Sequence, residues 1–362
     1  MEFLSPRPGI SHIRPYQPAK PSDDDGRAWI DLSLTVNPLG PSPAALHAYR
    51  HAASQIHHYP DSRQTRLRRA IARRYDLDDS RIVCGGGSDD LLQLLCQAYA
   101  GPGDEVLCHE HGYRGFIKAA RLTGATPIVA AERDMVVDVE AMIELSGKNT
   151  RLCYLANPNN PTGTYIPAEA VQRLRAGLPP HTLLVLDSAY AEYIRRDNYA
   201  DGVDLVESSD NVVMVRSFSK MHGLAGLRVG WAYGPRTVID ALEHVRSPFA
   251  VSVPALAAAA AAIADAEHEN ATYDHNAVWL PWLTQELEQL GLRVYPSVCN
   301  FLLVRVAPDP SLGVPQILDH LARRGILVKS CVEYGMADGL RITVGLEEEN
   351  RALVTALGEV VG

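Results

Sequence analysis

Between residues 82 and 231, seven short apolar runs alternate with amphipathic stretches, and this alternation limits the fold more than any other feature of the chain. The runs are Ile82 to Cys84, Glu105 to Cys108, Thr126 to Val129, Leu152 to Leu155, Leu183 to Leu186, Val212 to Val215 and Val229 to Trp231. Helical patterns at Asp89 to Ala100, Tyr113 to Leu122 and Pro167 to Ala176 lie between them. Strands that are apolar on both faces and joined through helices predict an α/β fold with a mostly parallel central sheet covered on both sides. In such sheets ligands sit beyond the carboxyl ends of the strands.

After about residue 250 the pattern changes to longer helices, Pro254 to Ala264 and Asn276 to Leu290. Short strands follow near Asn300 to Val306, Ile326 to Val328 and Leu340 to Val344. With 362 residues and about 150 per domain, the chain divides into an N-terminal arm (1–30), a large domain (31–250) and a smaller C-terminal α/β domain (251–362). The first residues of the large domain remain open to joining the small one. The arm holds five prolines before residue 26 and no apolar core, so it is not a secretory signal. The run Ala255 to Ala264 is too short to cross a bilayer and reads as a packed helix.

Net charge is −9, which disfavours phosphate backbones and anionic lipid as partners and leaves a small molecule as the default. No apolar stretch reaches the roughly 18 to 20 residues of a membrane span. The six cysteines form no CxxC pair and suit a reducing cytoplasm.

Chemistry-bearing residues gather after the strands. Gly85-Gly86-Gly87-Ser88-Asp89 precedes a helix and forms either a phosphate cradle or a tight turn with an ordinary N-cap. Asn157-Pro158-Asn159-Asn160-Pro161-Thr162-Gly163 is a stiff loop able to aim an amide. Asp187 closes an apolar run and needs a positive or donor partner. Ser217-Phe218-Ser219-Lys220 leads into Gly223-Leu224-Ala225-Gly226-Leu227-Arg228. An amine, a buried carboxylate and an anion cradle on neighbouring strand ends are the groups that pyridoxal phosphate requires.

These motifs, with Asn37-Pro38-Leu39-Gly40-Pro41, Tyr59-Pro60-Asp61 and Arg341-Ile342-Thr343-Val344-Gly345, resemble the histidinol-phosphate aminotransferase family of fold-type I pyridoxal-phosphate enzymes. They occur in the family's order from near the start of the chain to near its end. The resemblance implies that Lys220 forms the Schiff base, Asp187 holds the pyridinium proton, and Asn160 and Tyr190 bond the phenolic oxygen. It places Tyr113 on the cofactor ring. Gly87, Ser88, Asp89, Ser217, Ser219 and Arg228 would hold the phosphate, reached also by Tyr59 from the second subunit of a homodimer. Tyr16, Asn37, Lys329 and Arg341 are the implied substrate contacts, and no metal is implied. The expected reaction passes an amino group from histidinol phosphate to 2-oxoglutarate. An aromatic amino-acid aminotransferase and a threonine-phosphate decarboxylase-like lyase are the alternatives.

Two departures stand out. The family's usual Asn-Glu is Thr35-Val36 here, a pair expected not to touch the chemistry, and its usual Arg is Lys329, a point charge in place of a planar fork. Cys108-His109-Glu110-His111 reads as a polar helix-end cap, and His222 as a residue behind the site. The basic run from Arg66 to Arg74 reads as a solvated or interface helix face.

Overall fold

The seven apolar runs form one sheet, in the order Ile82–Gly85, Gly230–Tyr233, Val212–Ser217, Leu183–Asp187, Thr150–Ala156, Glu105–His109 and Thr126–Ala130. This is a computed structural model, and it describes residues 5–7, 9–19, 28–306 and 312–361. Residues 20–27, which the sequence places in the arm, lie outside the described residues, as do 307–311. Gly230–Tyr233 runs antiparallel to both its neighbours, and every other adjacent pair is parallel. The remaining strands therefore point one way, and their carboxyl ends line one edge.

Strand residues alternate between two buried clusters. Cys153, Leu155, Leu184 and Leu186 face one layer of helices, whereas Leu152, Tyr154, Leu183 and Val185 face the other. The period of two in a strand makes this division obligatory once both faces are covered. Phe116, from the helix Gly115–Thr123, stacks on Tyr154 with ring centroids 4.6 Å apart.

A second, four-stranded antiparallel sheet runs Arg293–Val294, Phe301–Arg305, Gly339–Thr343 and Lys329–Ser330. The helices Ala266–Gln289, Val314–Arg323 and Glu347–Val361 close its apolar side. Ile30–Asp31 pairs in parallel with Ile326–Leu327, and Leu32 enters the same cluster. The chain thus starts its ordered course on the small sheet before building the large one.

Two sequence expectations are corrected. The helix Val253–Ala262, assigned to the small domain, contributes Ala255, Ala258, Ala259 and Ala262 to the core of the large sheet. Ser252 caps it and Pro254 occupies its first turn, while alanine on both sides lets neighbouring helices approach. The composition change at 250 therefore marks a buried helix rather than the edge of the large layer. The following helix begins at Ala266, not Asn276. Its first ten residues lack an apolar period, and the usable signal is Asp265 as N-cap with Glu267 and Glu269 in the first turn.

Among the described residues, no helix is long and apolar enough to cross a membrane.

Candidate active site

Lys220 follows the Val212–Ser217 strand and meets the carboxyl ends of its neighbours. Its Nζ donates to Thr35 Oγ1 at 2.6 Å and lies 5.4 Å from the centroid of the Tyr190 ring. Burial pushes the amine down to about 7, with Arg341 and Arg228 acting in the same direction and Asp187 opposing them. Asp187 is 8% exposed and ends its strand. Burial raises its carboxyl to about 6, reinforced by Asp89 and opposed by Lys220. The only hydrogen bond described for that carboxylate comes from Ala189 N–H, at 3.2 Å. A buried acid with so little local support suits a cationic ring nitrogen placed above it.

Tyr190 OH stands 3.0 Å from Thr35 Oγ1 and accepts from Asn160 Nδ2 at 3.4 Å. Asn160 Oδ1 accepts from Arg341 Nη1 at 2.6 Å, and Arg341 Nη2 donates to the Ser33 carbonyl at 2.6 Å. Arg341 Nε is buried without a partner. The loop carrying Asn160 holds cis peptides at Asn157-Pro158 and Asn160-Pro161, and Asn157 fastens it through Nδ2 to the Ile166 carbonyl.

The glycine run forms a cradle. Gly87, with φ 102°, begins the helix Ser88–Tyr99, and a Cβ there would strike the Arg228 guanidinium. A Cβ at Gly230 would meet the Ser88 amide. Arg228 Nη1 donates to Ser219 Oγ at 3.3 Å, and Ser219 N–H donates to Ser217 Oγ at 3.0 Å. Two hydroxyls and a guanidinium thus gather at a helix N-terminus that only a glycine at position 87 lets Arg228 approach, a set of donors that fits a phosphate. Beside it Tyr113 donates to Asp89 Oδ1 at 3.1 Å, and burial raises its hydroxyl. The residues present therefore fit pyridoxal phosphate.

Lys329 and Arg341 are directly opposed partners on adjacent antiparallel strands, 9% and 7% exposed. Lys329 Nζ donates to the Gln17 carbonyl at 3.1 Å, lies 3.3 Å from Glu333 and sits 4.8 Å from the Tyr16 ring centroid. The arm reaches this point from the far side: Arg7 bonds the Leu122 carbonyl and Arg121 bonds that of His12. Tyr16, 62% exposed, lies over the same mouth, and burial raises its hydroxyl while Arg341 opposes.

Some expected residues stand elsewhere. Asn37 spends its amide on the Met221 carbonyl (2.8 Å) and Thr272 (3.0 Å), and its Oδ1 accepts from Leu39 N–H. Both polar atoms of its side chain are thus engaged within the protein, and they fasten this part of the chain to Met221 and Thr272. Tyr59 is 82% exposed and stacks on Phe249, with centroids 4.6 Å apart. It is not gathered with the other site residues of its own chain. The His109 and His111 rings do not cap a helix. Both Nδ1 atoms bind the buried Glu132, at 2.7 and 2.9 Å, and against its burial these bonds hold that carboxyl down at about 2. His109 and His111 are two apart and share a side of the chain, which the sequence reading missed. His222 is buried beside Phe218, and burial followed by Arg216 pushes it down to about 3.

Beside Lys220, the residue that the sequence reading missed is Thr35. It was expected to stay clear of the chemistry, yet it touches both Lys220 and Tyr190.

The sequence pattern of aminotransferase class I and II covers residues 27–357. The chain belongs to the aminotransferase class I and II family. This aminotransferase is 49% identical over 362 residues, the whole of both chains, to the histidinol-phosphate aminotransferase of Paramagnetospirillum magneticum. It is 45% identical to that of Rhodopseudomonas palustris strain BisB18, over 98% of this chain and 97% of the relative. Its fold superposes with TM-score 0.86 on the crystal structure of histidinol-phosphate aminotransferase from Sinorhizobium meliloti in complex with pyridoxal-5'-phosphate. That match is at 31% identity and covers 93% of this chain and 92% of the other.

Proposed function

We propose that this aminotransferase is a histidinol-phosphate aminotransferase dependent on pyridoxal phosphate. Histidinol phosphate is the amino donor and 2-oxoglutarate the acceptor, a reaction that serves histidine biosynthesis in the cytoplasm. The observation that carries the choice of donor is the pair Lys329 and Arg341. Like charges directly opposed across two strands repel, and both are largely buried. Glu333 offsets part of that charge at 3.3 Å from Lys329, and a bound anion would offset the rest, a phosphate monoester supplying more charge than a carboxylate.

Bound pyridoxal phosphate supplies an aldehyde to take up the amino group and a cationic ring to spread the electron pair left at the α-carbon. Gly87, Ser88, Asp89, Ser217, Ser219 and Arg228 would hold its phosphate, and Tyr113 would cover the ring. Asp187 would keep the ring nitrogen protonated, while Asn160 and Tyr190 would face the phenolic oxygen. The Lys220 amine, held near 7, can both take a proton from the α-carbon and return it at neutral pH. Arg341, its Nε still free, would orient the anionic group of either substrate. Tyr16 would screen the mouth from water.

The working unit in this reading is a homodimer. Leu39, Leu46, Tyr49, Ile56, Tyr59 and Phe249 leave apolar side chains exposed, and a second copy of the chain would cover them. Tyr59 would then complete the partner's phosphate cradle. Tyr59→Phe should slow turnover about tenfold, the order for one hydrogen bond to a charged group. Mixing Tyr59→Phe chains with Lys220→Ala chains should restore activity above the sum of the parents, because one hybrid site carries both intact residues. Subunit exchange without recovery removes the shared site.

A donor panel followed by cofactor absorbance tests the function. Histidinol phosphate should exceed phenylalanine and tyrosine in kcat/KM. Lys329→Ala should lower kcat/KM for histidinol phosphate about ten- to 150-fold, the range for one charged hydrogen bond, and leave phenylalanine unchanged. Lys329→Arg should retain the phosphorylated donor. A wild type that prefers phenylalanine or tyrosine moves the function to aromatic amino-acid transamination, and release of carbon dioxide moves it to a lyase.

A further inference from the structure

Thr35 adopts φ 53°. A β-branched residue in the left-handed region is strained and persists only where its surroundings hold it. Those surroundings belong to the small sheet. Thr35 N–H donates to Thr343 Oγ1 at 3.0 Å, and its carbonyl accepts from Asn300 Nδ2 at 3.2 Å. Thr343 ends the Gly339–Thr343 strand, and Asn300 precedes Phe301–Arg305. The side chain is thereby carried across to the large sheet, where its hydroxyl bridges Lys220 Nζ and Tyr190 OH. The residue is 1% exposed, so water does not compete for those bonds.

One hydroxyl has one hydrogen and can donate in only one direction. When Lys220 is an ammonium it donates to Thr35 Oγ1, and the Thr35 hydrogen is available to the Tyr190 oxygen. That oxygen also accepts from Asn160 Nδ2, which leaves the Tyr190 hydrogen free to point away. When Lys220 is a neutral amine it gains a lone pair that Thr35 can donate to, and Thr35 Oγ1 is then free to accept from Tyr190. We propose that Thr35 is a positioning residue that couples the protonation state of Lys220 to the direction in which Tyr190 donates its hydrogen, so that the two groups switch together.

The charges facing the Lys220 amine are Arg341 from the small sheet, Arg228 from the loop after the lysine and Asp187 from the neighbouring strand end, with the Cys299 thiol beside them. None of the three charged groups is described as bonding Lys220 directly. Thr35 is the side chain that does, so its loss should be felt at Nζ.

The proposal rests on Lys220 being the reacting amine, and its test reads the cofactor-free chain, where the identity of the amino donor has no influence. Lys220 would be acetylated competitively across a pH series and its labelling midpoint obtained by peptide mapping. Thr35→Gly removes the hydroxyl and also relieves the strain, because glycine accepts this backbone conformation. It should keep or raise the melting temperature while lowering the Lys220 midpoint by about one pH unit, the order for losing one hydrogen bond to the charged form. Thr35→Ser should hold the midpoint within about 0.3 unit. In the cofactor-loaded enzyme Thr35→Gly should lower kcat about tenfold at unchanged KM, with the acid limb of the kcat profile moved in the same direction as the labelling midpoint. A Thr35→Gly midpoint equal to that of wild type overturns the proposal, as does a Thr35→Ser midpoint displaced as far as that of Thr35→Gly.

Discussion

Lys220→Ala abolishes turnover while the protein still binds pyridoxal phosphate. The loss in kcat/KM should be at least about 10⁴-fold, at the upper end of what a single acid–base group supplies, because the same amine also carries the cofactor. Retention follows from the cradle, since Gly87, Ser219 and Arg228 do not depend on Lys220 for their places. Equilibrium dialysis should find the cofactor bound, and the absorbance band of the lysine-linked form should be missing. A variant with wild-type turnover would show that another group does the work. The same substitution has a thermodynamic signature in the cofactor-free chain. The folded amine releases its proton near 7 and the unfolded one near 10.5, so between these values the unfolded state holds more protons and stability rises with pH. Lys220→Ala should remove a slope approaching about 1.4 kcal/mol per pH unit in that window.

The sheet was legible because each strand is an uninterrupted apolar run ending in a polar or glycine-rich cluster, a local pattern that needs no partner to be recognised. That Lys220, Asp187, Asn160 and Arg228 would gather beyond neighbouring strands was legible for the same reason, each standing in a motif set by its neighbours in sequence. Thr35 was not. Its place depends on a left-handed backbone and on bonds to Thr343 and Asn300 roughly 300 and 265 residues away, and threonine beside valine gives no hint of either. Glu132 was missed likewise, because it becomes a histidine partner only once the chain has crossed to the neighbouring strand. Asn37, a substrate contact by resemblance, spends its amide on holding its own segment to Met221 and Thr272, bonds that the sequence motif does not reveal.

Arg341 is where this local reading and the three-dimensional one converge. It opens a recognisable strand motif, yet only the cross-strand register sets it against Lys329. Arg341→Ala should slow both half-reactions, each by about 2 to 4 kcal/mol, the order for truncating one side of a buried charge pair. That corresponds to roughly 30- to 1,000-fold in kcat/KM for histidinol phosphate and for 2-oxoglutarate alike. Three effects act together. The anion loses a planar donor, Asn160 Oδ1 and the Ser33 carbonyl lose the guanidinium that pairs them, and Lys220 loses a positive neighbour that holds its amine down. The last effect has its own sign: without Arg341 the amine keeps its proton to higher pH, so the acid limb of the kcat profile should move upward. Arg341→Lys separates the contributions, since a point charge preserves the field at Lys220 but not the fork. It should return the pH profile toward wild type and leave much of the loss in kcat/KM. Loss confined to the phosphorylated donor, with 2-oxoglutarate untouched, would limit Arg341 to the phosphate and assign the acceptor's carboxylate to another group.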